Sequence, residues 1–134
     1  MVKPKVIKRE VYMVDEKKIK SFIHKWENVE FESSSVKTPQ FMEFVRGFKT
    51  AFKHAIGDTV KDIKFSVGHF YISGFLTLNN GNIIYFNIFD VRFFKNEWFN
   101  NILVRTAKSY TDYTGGSNNY CTLLNVGEKI NNLW

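Results

Sequence analysis

The run Phe70-Tyr-Ile-Ser-Gly-Phe-Leu-Thr-Leu78, then Asn79-Asn80-Gly81-Asn82, then Ile83-Ile-Tyr-Phe-Asn-Ile-Phe-Asp-Val-Arg-Phe-Phe94 decides the fold. β-Branched and aromatic residues recur on both sides of a polar centre, and Asn80-Gly81 is the pair favoured in a two-residue type I′ turn. The segment therefore reads as a long antiparallel hairpin. A two-residue turn fixes a register in which Leu78 faces Ile83, Leu76 faces Tyr85 and Gly74 faces Asn87. On the other side Thr77 faces Ile84, Phe75 faces Phe86 and Ser73 faces Ile88. Further from the turn, Tyr71 meets Asp90 and His69 meets Arg92. Both faces then carry apolar residues, which places the hairpin centrally with helices over at least one face.

Working outward, Ile63-Lys-Phe-Ser-Val67 and Ile102 to Thr106 read as further strands, and Asn125 to Trp134 as a short terminal helix. Upstream the period changes to that of a helix. A first helix begins at Asp15, which caps it, and Ile19, Phe22, Ile23 and Trp26 make a one-sided stripe with Lys17, Lys18, Lys20 and Lys25 off it. Phe31 to Val36 is a loop. A second helix opens with Thr38 as cap and Pro39 at its first position, runs along Phe41, Phe44, Val45, Phe48, Phe52 and Ile56, and stops at Gly57. The expected fold class is α+β, with N-terminal helices packed on a C-terminal antiparallel β-sheet built around the hairpin. With no repeat or linker, residues 1–134 form one domain preceded by a basic arm, residues 1–10, that is either flexible or an edge strand.

A chain of 134 residues is long enough to bury a core without metals or disulfides. Aromatic residues make up 17% of it, so that core is expected to be built from rings. The single cysteine, Cys121, excludes an intramolecular disulfide framework and reads as a small buried hydrophobe. No apolar run approaches a membrane helix, and the basic start lacks the apolar stretch of a signal peptide, so no membrane partner is expected. The net charge of +6 is uneven: residues 1–64 hold 14 Lys/Arg against 9 Asp/Glu, and residues 65–134 hold 5 against 4. A basic balance favours polyanionic partners.

Three groups of residues carry chemistry. Arg46, Lys49 and Lys53 share one face of the second helix and could displace counterions from a nucleic-acid backbone. A charged helix exterior serves solubility equally well. His69, Tyr71, Asp90 and Arg92 would form two adjacent cross-strand pairs, an acid/base and anion site of the kind phosphodiester chemistry needs, or simply a polar sheet margin. The third group is the segment from Arg105 to Tyr120. There Arg105 and Lys108 can neutralise phosphate, and Tyr110, Tyr113 and Tyr120 can stack on bases. Gly115 and Gly116 can take positive φ and form an anion nest, and Asn118 and Asn119 can read base edges. Cys121 and the scattered His24, His54 and His69 lack metal-ligand spacing, and Gly115-Gly116 lacks the flanking residues of a phosphate loop. No metal or cofactor is expected.

The C-terminal half resembles small uncharacterised accessory proteins of bacteriophages and conjugative elements. The resemblance lies in Gly68-His-Phe-Tyr-Ile-Ser-Gly-Phe75, Tyr85-Phe-Asn-Ile-Phe-Asp-Val-Arg92, Trp98, Asn100-Asn-Ile-Leu-Val-Arg-Thr-Ala-Lys108 and Asp112-Tyr-Thr-Gly-Gly-Ser-Asn-Asn119. It implies a setting, the cytoplasm of a bacterial host cell, in which such proteins act on DNA or blunt host defence. The leading expectation is a non-enzymatic protein that binds nucleic acid or a nucleoprotein complex. The alternatives are a protein inhibitor of a host defence nuclease, of the anti-CRISPR type, and a small metal-independent nuclease using His69, Tyr71, Asp90 and Arg92.

Overall fold

A computed structural model describes residues 16–93, 98–112 and 115–133. The basic arm and Asp15 lie outside the described residues. Helix α1 covers residues 16–26, with Ile19 and Trp26 buried, Phe22 and Ile23 packed against the core, and Lys17, Lys18, Lys20 and Lys25 exposed. Helix α2 (Pro39–Ile56) begins and ends where its sequence dictates. Thr38 is extended, and its Oγ1 accepts from the Phe41 N–H at 3.1 Å. Pro39 fills a position whose N–H has no helical partner to lose. Gly57 at φ 72° turns the chain out. The whole expected stripe from Phe41 to Ile56 is buried, joined by Ala51 and Ala55.

Helix α2 faces a sheet of five antiparallel strands, β1 (Val60–Val67), β2 (Ile72–Leu78), β3 (Ile83–Ile88), β4 (Ile102–Ala107) and β5 (Asn119–Cys121), in the order β1-β2-β3-β4-β5. The short helix α3 (Val126–Asn131) buries Val126 and Ile130 and brings Gly127 against the Ala55 carbonyl of α2. The layers meet through rings. Phe52 lies 4.6 Å from Phe86, Phe41 4.9 Å from Phe70, and Trp98 stands edge-on to Phe44 at 4.8 Å. Each such pair adds about 0.5–1.5 kcal/mol beyond its buried area. The expectation of an aromatic core is met: the large, flat side chains of α1 and α2 fill the space between two layers that small aliphatics would leave open.

The hairpin register differs from the expected one by a single residue. Ser73 pairs with Asn87, Gly74 with Phe86, Phe75 with Tyr85, Leu76 with Ile84 and Thr77 with Ile83. A type I′ turn needs positive φ at both central residues, but at this tip only Gly81 has it, at 91°. The loop is therefore three residues, Asn79 to Gly81. The Gly81 N–H donates to the Leu78 carbonyl at 2.9 Å, and the Leu78 N–H donates to Asn82 O at 2.8 Å. Gly81 sits where a three-residue hairpin loop puts a left-handed glycine. Asn80 Oδ1 accepts from the Asn82 N–H at 3.0 Å and stiffens the tip.

One residue of slip changes which side chains share a face. Ile72, Leu76, Leu78, Ile84, Phe86 and Ile88 all point to the helices and are buried. The expectation that both faces carry apolar residues, with helices over at least one, is met: Phe75, Ile83 and Tyr85 lie on the outer face, and the helices pack on the inner one. The strands are also shorter than read. Phe70 takes a left-handed φ of 67°, so β2 starts only at Ile72, and β3 ends at Ile88. Strand β5 lies inside the stretch read as a loop.

Candidate functional site

On the outer face of the sheet, the registers of three strand pairs align one row across four strands: Lys64, Phe75, Tyr85, Arg105. Two rings occupy the central strands and a cation flanks each side. Phe75 and Tyr85 lie 5.4 Å apart with their planes tilted by 59°. The Tyr85 hydroxyl accepts from Asn87 Nδ2 at 3.0 Å, which fixes the ring along the strand. The next row toward the hairpin tip is Asp62, Thr77, Ile83 and Ala107; the next row away is Ser66, Ser73, Asn87, Leu103 and Tyr120. Asp62, at the β1 edge, is the acidic side chain within these rows.

Tyr110 folds back over the row from a tight turn closed by a bridge between Ser109 and Asp112. Its ring stands edge-on to Phe75 at 5.5 Å, its hydroxyl shares a hydrogen bond with Thr77 Oγ1, and the Lys64 ammonium lies 4.6 Å above its face. At the other side Arg105 Nη2 donates to Asn118 Oδ1, which steers the guanidinium along the sheet. Tyr120, on β5, is 51% exposed and stacks on Phe89 at 6.5 Å. The outer face thus offers rings held by strands and cations aimed by neighbours.

The sequence-expected residues separate into two sets. Arg105, Tyr110 and Asn118 belong to the outer face, and Lys108 stands exposed just beyond β4. Asn119 opens β5, and its Nδ2 donates to the Ser117 carbonyl at 3.0 Å, which ties it to its own turn. Tyr113 lies outside the described residues. The anion nest at Gly115-Gly116 is not formed: neither glycine adopts positive φ. Gly116 is required for another reason, since a Cβ there would sit 2.4 Å from the Thr106 carbonyl. Its backbone packs directly on β4. Lys108 runs alongside Gly115, and with Gly116, Thr106, Ile83, Asn82 and Gly81 it lines a groove of about 420 Å³ next to the ring row.

Arg46, Lys49 and Lys53 lie on α2, in the layer across the sheet from Arg105 and Lys108. Lys49 sits 5.4 Å over the Phe65 ring, and Lys53 borders a hollow of about 340 Å³ with Lys61 and Asp62 at the β1 edge. The two sets of cations do not share one surface. The sequence pattern could not show this, because helix and strand were not yet placed on opposite layers.

The polar cluster at the far end of the hairpin also differs from expectation. The pairs Tyr71–Asp90 and His69–Arg92 are not part of the ladder, which ends at Ile72 and Ile88; beyond it Phe70 turns left-handed and its carbonyl accepts from the Val91 N–H at 2.9 Å. Instead Asp90 and Arg92 bind each other: Arg92 Nε reaches Oδ1 at 3.0 Å, Nη2 reaches Oδ2 at 2.6 Å, and the Arg92 N–H reaches Oδ1 at 2.9 Å. The guanidinium lies 4.3 Å over the ring of Phe70. Burial alone would raise the Asp90 carboxyl, but the hydrogen bonds and charge of Arg92 outweigh it and hold the group below the usual carboxylate range. The same bonds raise Arg92. This pair pins the chain where β3 ends. His69 is exposed and stands edge-on to Phe70.

Cys121 is buried, with Sγ 3.4 Å from the Ile102 carbonyl, and burial pushes its thiol up to about 12. It is inert packing. Among the described residues no three His, Cys, Asp or Glu side chains gather as a metal-ligand set, and no helix is long and apolar enough to cross a membrane. Three site residues were not singled out from sequence, Lys64, Phe75 and Tyr85. The signal for the two rings was present: reading Asn79-Asn80-Gly81 as a three-residue loop places Phe75 and Tyr85 side by side. The chain matches no protein-family profile, no curated protein and no solved structure.

Proposed function

We propose that the chain is a non-enzymatic accessory protein that binds nucleic acid, alone or in a nucleoprotein complex, through the outer face of its sheet. The row Lys64–Phe75–Tyr85–Arg105 carries this reading. Rings on central strands offer stacking platforms, and cations beside them attract phosphate. Neither is needed to fill the core, which lies on the other side. The phage or mobile-element setting implied by the sequence resemblance fits such a role. The Asp90 carboxylate, closed into its pair with Arg92, supports the non-enzymatic side of the proposal.

Fluorescence anisotropy with labelled single- and double-stranded oligonucleotides at low salt tests it. Binding should be measurable with at least one form and should weaken when Lys64 and Arg105 are both replaced by Ser. Absence of binding to every form ends the proposal.

A second reading, a protein inhibitor of a host defence nuclease, draws on a different place. Phe93 is 72% exposed and Tyr71 41% exposed, at the end of the sheet held by the Asp90–Arg92 pair. Exposed rings of this kind become hot spots when a partner buries them. A host nuclease recovered by pull-down after digestion of all nucleic acid, and lost in a Phe93→Ala protein, would favour this reading.

A further inference from the structure

We infer that the outer face takes single-stranded nucleic acid, with unpaired bases on the Phe75–Tyr85 ring row and a backbone phosphate in the Lys108 groove. This inference rests on the outer face being the nucleic-acid surface. Three observations select the single strand over the duplex.

The first is the placement of the rings. Phe75 and Tyr85 rise from the middle of a sheet and are partly buried among their neighbours. In a duplex every base face is already covered by the next base, so rings mounted in the middle of a sheet would touch only sugars and phosphates. They gain stacking energy only from bases that are unpaired and splayed out.

The second is the absence, among the described residues of the outer face, of a charged element shaped to enter a groove. Reading a duplex needs a helix or a two-stranded ribbon in the major groove. The ribbon that projects here, the tip of β2 and β3, ends in Asn79-Asn80-Gly81-Asn82 and carries no cation. The basic helix α2 lies on the opposite layer, with Lys49 turned onto Phe65.

The third is spacing. Ile83 lines the groove, and Tyr85 is the next residue on the same face of β3. Two residues along a strand span about 7 Å, a separation that a single nucleotide bridges between its base and its phosphate. Lys108 stands at the groove with its side chain along Gly115. Lys64 and Arg105, three strand intervals apart, are separated by roughly 14 Å, room for a short run of nucleotides between two phosphate contacts. Tyr110, clamped to Thr77 under Lys64, walls the β1 side of this path.

The test uses the full chain, a short labelled oligothymidylate and a duplex of equal length. Single-stranded binding should exceed duplex binding by tenfold or more. Three phosphate contacts on a single strand predict that log K falls against log salt with a slope of about −2. Tyr85→Leu and Phe75→Leu keep apolar volume on the sheet while removing the ring. Each should weaken the single strand by about tenfold and leave its salt slope unchanged. Lys108→Ser should instead reduce the slope by about 0.7. Photo-crosslinking of a 5-iodouracil oligonucleotide should map to Tyr85 or Tyr110. If single strand and duplex bind alike, and Lys64→Ser with Arg105→Ser weakens both equally, the outer face remains the nucleic-acid surface and the single-strand inference falls. Ring variants that bind the single strand at full strength, with crosslinks outside the outer face, also overturn it.

Discussion

The two faces of this sheet are made from the same strands, residue by alternating residue, and they obey different rules. Toward the helices, Leu76, Ile84 and Phe86 are wholly buried and meet only apolar neighbours. One residue along, Phe75 and Tyr85 form a pair of rings between two cations, with hydroxyls and amides around them. A face selected only for solubility would carry scattered polar groups. A face selected only for packing would be covered. The outer row is covered in part, by Tyr110, and its cations are ranged beside rings rather than scattered, and that difference is the reason to seek its role in binding rather than in folding.

The comparison breaks first if the two faces contribute alike to stability. Phe86 lies 4.6 Å from Phe52 at the centre of the ring core, so Phe86→Ala should lose about 3–5 kcal/mol of unfolding free energy. Phe75→Leu, on the other face of the sheet, should lose less than about 1.5 kcal/mol, because the swap nearly conserves volume on a partly solvated face. Urea unfolding of both proteins measures the contrast. Equal losses would mean that the outer rings are part of the core and that their placement needs no functional reason.

The division into faces depends in turn on the hairpin tip. Gly81→Ala forces a side chain into positive φ and should cost about 1–2 kcal/mol. Asn80→Ala gives up only the hydrogen bond to the Asn82 N–H and should cost about 1 kcal/mol or less. In a two-residue type I′ turn both positions would need positive φ, so the two substitutions would be comparably harmful. Chemical denaturation of the pair therefore reads out the loop type, and with it the register.

That tip also marks where the sequence stopped being sufficient. Helix α2 was legible to the residue, because Thr38, Pro39 and Gly57 each act locally and its stripe repeats over many turns. The strands were legible as strands. Their register was not, because Asn80-Gly81 serves both a two-residue and a three-residue loop, and the choice depends on how β3 sits against β4 and α2. From that single residue followed the omission of Phe75 and Tyr85, while the left-handed turn at Phe70, which no residue type announced, ended the strand before the polar cluster at Asp90 and Arg92. Arg105, Lys108, Tyr110 and Asn118 could be singled out by residue type, a step that needs no register, although the row that Arg105 joins on β4 could not be read. The nest at Gly115-Gly116 was misread because glycine permits positive φ without requiring it; here Gly116 answers a close backbone approach.

The charges separate the faces by the smallest effect. Asp90 and Arg92 are polar groups placed for stability, at the end of the sheet, and pH exposes this. The folded Asp90 carboxyl titrates below its unfolded value of about 3.9. Its contribution is therefore complete above that value and disappears as pH falls through the lowered folded pKa. Asp90→Asn should be less stable than the parent at neutral pH, and the two unfolding curves should converge as the solution is acidified. Lys64 is the contrasting case. Its ammonium lies over the exposed face of Tyr110, an arrangement worth about 0.5 kcal/mol or a little more. Lys64→Gln should shift stability by no more than that. If Lys64→Gln instead destabilised the fold as much as Asp90→Asn does, the outer-row cations would be structural, and their flanking of the rings would cease to argue for a polyanion.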